Sequence, residues 1–207
     1  MESKCVFCNL EKERDEGSIL YETENFYVTC VKYGAFSAGH VLLISKFHLS
    51  CFGDMPNKYD EEFLAVANKV RQNISVNFSS PLASEMGVYG QSVNHAHIHF
   101  FPSRTDDYYI RNFVSIIPDA IQISRICKFQ ELRDIFKQEK QYVSIEESLQ
   151  LYVCLTREYN GSSIRLRDLF VKATGLKSFA RWQSVPDNIV GKNRKWLCLT
   201  KEAWRQT

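Results

Sequence analysis

Gly90-Gln91-Ser92-Val93-Asn94-His95-Ala96-His97-Ile98-His99-Phe100-Phe101 is the stretch on which the reading of this chain turns. Residues 93–101 have the composition of a strand, Gly90-Gln91-Ser92 makes a turn-like entry, and Pro102 ends it. Residues two apart in a strand share a face. His95, His97 and His99 are therefore expected on one side, with Ala96, Ile98 and Phe100 directed into the core behind them. Three imidazoles a pleat apart are costly to charge together, so they need partners. The chain holds 5 histidines in all. Three of them at strict alternation mark a catalytic site or a metal-binding strand rather than chance core packing.

Working outward, Ile19-Leu20-Tyr21-Glu22 and residues 26–31 alternate and are rich in strand formers. Ser37-Ala38-Gly39 breaks the chain before His40-Val41-Leu42-Leu43-Ile44-Ser45, another strand. Between residues 57 and 77, Phe63, Leu64, Val66, Ala67, Val70 and Ile74 recur at helical spacing, and Asp60-Glu61-Glu62 suit a helix start. Beyond Pro102, residues 128–140, 146–159 and 163–176 read as helices, and Trp196-Leu197-Cys198-Leu199 reads as a strand.

The 207 residues are 44% hydrophobic, enough to bury a sizeable core. No run approaches the length of a membrane span. The polar start Met1-Glu2-Ser3-Lys4-Cys5 lacks the apolar heart of a secretory signal. The 7 cysteines then read as reduced thiols of a cytoplasmic protein. The net charge of +2 conceals an asymmetry: residues 1–150 carry 15 Lys/Arg against 20 Asp/Glu, whereas residues 151–207 carry 11 against 4. Such a split fits two regions with different partners, or simply a well-solvated basic tail.

The run from Gly90 to Phe101 resembles the signature of the histidine-triad (HIT) superfamily, in which alternating histidines follow a Gln-Ser-Val-type lead-in. Gly39-His40-Val41-Leu42-Leu43-Ile44-Ser45-Lys46-Phe47-His48 resembles the family's Gly-His strand and basic-x-His ending, with Ser45 where proline is usual. The opening Cys5-x-x-Cys8 is shared with many members. The resemblance covers residues 5 to about 104 and implies an α+β fold: an antiparallel sheet of about five strands with a packed helix, commonly a homodimer. It implies a nucleotide hydrolase or transferase acting at the α-phosphate through a covalent nucleotidyl-histidine. His97 would be the nucleophile. His99, Ser92 and Gln91 would bind the phosphate oxygens, and His40 would be a buried support. In zinc-containing relatives the metal set corresponds to Cys5, Cys8, His48 and His95, so the resemblance also implies a structural zinc ion.

One further feature departs from the pattern, and another matches it weakly. Lys32 falls near the position where adenosine-binding members place a ribose-holding acid or amide, and a lysine cannot accept a hydrogen bond. Glu85 and Gly87 resemble an acidic-x-Gly turn of one branch, although an exposed loop charge is the better reading of Glu85.

The expected organisation is a catalytic domain over residues 1–110, a connecting helical segment over 111–144, and a basic C-terminal domain over 145–207. The order of helices ending in the basic Lys192-Asn193-Arg194-Lys195-Trp196 run resembles a winged helix. Basic residues interleaved with Trp182 and Trp196 suit phosphate and base contact. Three readings follow: a nucleotidyl hydrolase or transferase, a nucleic-acid-associated deadenylase or phosphodiesterase using the tail, and a non-catalytic zinc-stabilised binding module.

Overall fold

The computed structural model describes residues 5–31, 35–103, 120–156 and 187–206. A 3-10 stretch (Phe7–Glu16) leads into β1 (Ile19–Glu22), β2 (Phe26–Cys30) and β3 (Val41–Ser45). Then come α1 (Asp60–Asn77), β4 (Pro81–Glu85) and β5 (His97–Pro102). The remainder comprises β6 (Ala120–Ile126), α2 (Phe129–Glu139), β7 (Val143–Glu147), β8 (Gln150–Thr156) and α3 (Asp187–Arg205). The strands form one sheet in the order β1-β2-β3-β5-β4-β7-β8-β6, with every neighbouring pair antiparallel.

β3 reads Val-Leu-Leu-Ile-Ser and is buried at every residue, as a central strand covered on both faces must be. α1 begins with Asp60, Glu61 and Glu62 against the positive end of the helix dipole. It buries Phe63, Val66, Ala67, Val70 and Ile74 at intervals of three and four, so one stripe of the helix packs on the sheet. Phe26, Val28, Val41, Leu43 and Phe100 meet that stripe in the main core.

Strand register decides which side chains share a face. Phe100 lies opposite Ala83, Ala83 opposite Glu146, Glu146 opposite Leu151, and Leu151 opposite Ile126. This is the helix face, because α1 packs with Phe100 and Ala83 while Leu132 of α2 packs with Ile126 and Val153. His99, Ser84, Ile145 and Tyr152 form the corresponding row on the other face. The connectivity repeats itself about the β4–β7 pair. β3-α1-β4-β5 on one side is matched by β6-α2-β7-β8 on the other. All 5 histidines precede residue 100, so the second set carries none.

The sheet is larger than the five strands expected, because three strands from beyond residue 119 continue it past β4. Of the helix expected over 146–159, the described residues, up to 156, are instead the end of β7 and all of β8. Alternate residues Leu151, Val153 and Leu155 pack against α2, a period of two that satisfies the sheet rather than a helix. The boundary expected at residue 145 falls inside β7, which pairs with β4 from Leu82 to Glu85. The strand expected at Trp196–Leu199 is part of α3. Its buried residues Thr200, Ala203 and Trp204 follow helical spacing, which overrides the local strand preference of Trp-Leu-Cys-Leu. Among the described residues, β8 stands in place of the first helix of the expected winged-helix order and α3 in place of its basic hairpin. The helix expected at 163–176 lies outside the described residues, as does Lys32.

Tyr142 enters this core between two glycines. A Cβ on Gly87 would lie 2.4–2.5 Å from three atoms of the Tyr142 ring, and one on Gly53 would lie 2.7 Å from it. Neither ring nor glycine backbone has room to yield. Gly87→Ala is therefore expected to cost about 1–3 kcal/mol of stability by overpacking. Urea denaturation checks this, and a change below about 0.5 kcal/mol, the range of a neutral surface substitution, would contradict it.

Candidate active site and metal centre

The regular strand begins at His97, later than expected, and residues 91–96 approach it as irregular chain. That approach is held by Ala96, whose N–H donates to the Leu49 carbonyl at 2.7 Å and whose carbonyl accepts from Ser45 N at 3.4 Å. Ala96 and Phe100 are buried in the core and Ile98 packs at its edge, as the alternation predicts.

Each triad histidine has a tautomer fixed by its neighbours. His97 Nδ1 lies 2.6 Å from the His95 carbonyl. A carbonyl only accepts, so Nδ1 carries the proton and Nε2 carries the lone pair. Burial pushes His97 down to about 4, against the opposing pull of that carbonyl, so the ring is neutral near pH 7. His95 Nε2 donates to the Ser45 carbonyl at 2.8 Å, which leaves the Nδ1 lone pair facing the N-terminal cysteines. For His99 the logic runs through His40. The Phe36 N–H donates to His40 Nδ1 at 3.0 Å, so His40 Nε2 must carry the proton. His40 Nε2 lies 2.9 Å from His99 Nδ1. His99 therefore accepts there and, when neutral, holds its own proton on Nε2. The His97 and His99 rings sit 5.3 Å apart, and Phe7 covers His97 at 5.1 Å.

Four ligands of two types, two cysteines and two histidines, converge at the N-terminus. One donor atom from each of Cys5, Cys8, His48 and His95 lies within 4.8 Å of all the others, so the cluster could hold a metal ion. Cys5 Sγ and Cys8 Sγ are 3.4 and 3.5 Å from His95 Nδ1, and Cys8 Sγ is 3.3 Å from His48 Nδ1. Zinc bonds of about 2.3 Å to sulfur and 2.0–2.1 Å to nitrogen, set tetrahedrally, give sulfur–nitrogen edges of about 3.5 Å. The donor set and the presented lone pair of His95 thus fit a closed tetrahedral site.

Of the expected phosphate-binding residues, Ser92 is exposed beside the triad segment, while Gln91 donates its amide to the Ser50 carbonyl at 2.9 Å. A cavity of about 350 Å³ opens on the helix face, lined by Ile98 and Phe100 among others. The thickness of the sheet separates it from His97 and His99.

Glu85 corrects an expectation. It is fully buried at the end of β4, not an exposed loop charge. Its carboxyl accepts the Phe52 N–H at 2.7 Å and the Tyr142 hydroxyl at 2.5 Å, and the Tyr142 oxygen accepts the Gly53 N–H at 2.9 Å. This network grips the 3-10 turn Phe52–Asp54. Burial pushes Glu85 up to about 7, outweighing both hydrogen bonds. The folded chain therefore holds a proton that the unfolded chain releases near pH 4.5, and stability falls as pH rises from 4.5 to 7. Glu85→Gln is expected to flatten that slope, by an amount on the order of 1–3 kcal/mol across the window. Denaturation midpoints at pH 5 and pH 7.5 measure it, and an unchanged slope would refute the assignment.

Residues 12–106 match the family model described as the HIT domain. Over these residues the chain is a HIT domain. Among curated relatives, an adenosine 5'-monophosphoramidase of Saccharomyces cerevisiae is 24% identical over 51% of this chain and 66% of its own length. An uncharacterized HIT-like protein of Methanocaldococcus jannaschii is 28% identical over 50% of this chain and 81% of that one. A zinc-bound histidine triad family protein of Mycobacterium smegmatis, 23% identical, covers 67% of this chain and 96% of its own, with a TM-score of 0.42. No described helix is long and apolar enough to cross a membrane. The residues around the candidate site that sequence reasoning missed are Phe7, which packs on His97, Phe36, which stacks on His40, Ser45, whose carbonyl accepts from His95, and Tyr142, which binds Glu85. Only Ser45 carried a signal, as a departure from the family's proline.

Proposed function

We propose that this HIT domain cleaves a nucleotide conjugate at its α-phosphate through a nucleotidyl-histidine on His97. The observation that carries this reading is the bond from His97 Nδ1 to the His95 carbonyl, which places a lone pair on Nε2 of a buried, neutral ring. In the first step Nε2 forms a bond to phosphorus while the bond to the leaving group breaks; the leaving group departs with its electron pair and takes a proton from solvent, and the ring, which keeps its Nδ1 proton, becomes cationic. In the second, water attacks phosphorus and gives up a proton to solvent, the N–P bond breaks with its electron pair returning to Nε2, and the neutral imidazole is restored. Splitting one displacement into two is the benefit of covalent catalysis. His99, with its proton on Nε2, donates to a phosphate oxygen as charge shifts in the transition state. Ser92 supplies a second donor, and Gln91 retains one N–H beyond its bond to Ser50. His95 serves the metal set, and a zinc ion bound there is structural, holding the N-terminal segment against the triad segment. The likeness to the yeast adenosine 5'-monophosphoramidase puts a nucleoside phosphoramidate first among substrates to test.

A panel of phosphoramidate, dinucleoside polyphosphate and nucleotide-sugar substrates, with product analysis, tests the reading. Release of a nucleoside monophosphate through an acid-labile protein adduct supports it, and turnover without an adduct rejects the covalent route. A second reading rests on the exposed Arg194, Lys195 and Arg205 of α3. These would contact nucleic acid phosphates in a deadenylase or phosphodiesterase, and oligonucleotide affinity falling steeply with salt distinguishes it.

A further inference from the structure

The HIT match ends at residue 106, yet a residue nearly a hundred positions later bonds to Gly39, the residue before His40. Thr200 of α3 is 2% exposed, and its Oγ1 accepts the Gly39 N–H at 2.8 Å while donating to the Trp196 carbonyl at 2.8 Å. Gly39 has a φ of +82°, and a Cβ there would lie 2.8 Å from both Phe78 and Pro102. Its buried N–H thus sits in a tight, left-handed turn, where loss of its acceptor would leave an orphaned donor. The next residue is His40. The same turn bends back so that the Phe36 N–H meets His40 Nδ1, and the Phe36 ring stacks on His40 at 4.4 Å.

We propose that Thr200 is a positioning residue for the His40–His99 pair: by fixing Gly39 it locks the turn that dictates the His40 tautomer, and through it the proton on His99 Nε2. α3 is then a working part of the triad site rather than an independent tail. Two further contacts seat the helix: Asn73 Nδ2 of α1 donates to the Ala203 carbonyl at 3.2 Å, and Trp204 stacks on Tyr21 at 6.2 Å; Ala203 itself is buried. The inference rests on the catalytic reading above for its kinetic consequence, but not for its structural one.

Thr200→Val keeps shape and removes the acceptor, whereas Thr200→Ser keeps the acceptor. With full-length protein, Thr200→Val should lower kcat on a turned-over substrate by about tenfold with little change in KM, and Thr200→Ser should restore it. Nitrogen-15 spectra of the histidine rings, which need no substrate, should show fixed His40 and His99 tautomers in the parent and in Thr200→Ser, and averaged ones in Thr200→Val. In the unmodified protein the Gly39 amide should exchange as slowly as the amides of α3 around residue 200. Unchanged ring spectra in Thr200→Val with Trp204 fluorescence still native, or a Gly39 amide that exchanges much faster than the helix, would overturn the proposal. Should Thr200→Val fail to fold, the exchange comparison alone decides. An inactive parent with these spectral results would refute the catalytic reading and leave the positioning role standing.

Discussion

His97→Ala is expected to lower nucleotide turnover at least about a thousandfold and to remove covalent labelling by an α-labelled nucleotide. Loss of a nucleophile that acts with its neighbours as a unit has effects of this order or larger. The structure gives the reason in one geometry: the ring is 7% exposed, its Nδ1 proton is committed to the His95 carbonyl, and its opposite nitrogen is the only one able to attack. His99→Ala should leave some labelling, because the attacking nitrogen remains while a phosphate donor is lost. An adduct that persists in His97→Ala would move the nucleophile elsewhere and dismantle the proposed mechanism.

Removing metal should have the second large effect. Full-length protein prepared with zinc is expected to hold one ion per chain, and either Cys5→Ser or Cys8→Ser should lose it. At a free zinc concentration a thousand times the dissociation constant, binding to the folded state alone contributes about 4 kcal/mol. Chelation should therefore lower the denaturation midpoint and, through His95, loosen the carbonyl that orients His97. Elemental analysis and paired urea titrations measure both. If the chelated protein keeps its stability and the cysteine variants retain metal, the four-ligand assignment fails.

How far these features could be read from sequence depended on whether their signal was local. The alternating histidines are local, and so is the Cys5-x-x-Cys8 pair, whereas the meeting of Cys5, Cys8, His48 and His95 joins residues up to 90 positions apart. β8 was hidden because its hairpin turns on Ser148 and Leu149, with φ of +52° and +61°, where Asn-Gly would have announced a tight turn. Without that punctuation, residues 146–159 read as one helix. Glu85 looked like a loop charge because its partner, Tyr142, lies 57 residues away. α3 misled for the opposite reason. Trp-Leu-Cys-Leu favours a strand locally, but the anchoring positions Thr200, Ala203 and Trp204 become meaningful only once Gly39, Asn73 and Tyr21 are known to face them.

The junction of β4 with β7 has a consequence for self-association. A strand has two lines of hydrogen-bonding groups, and β4 has both satisfied within the chain, by β5 and by β7. Among the described strands, β1 and β6 are the ones left with an outer edge. A second copy therefore cannot dock strand-to-strand beside β4, next to the histidines. The neighbour that would complete the sheet there is already covalently attached, so any homodimer of this chain must meet through another surface.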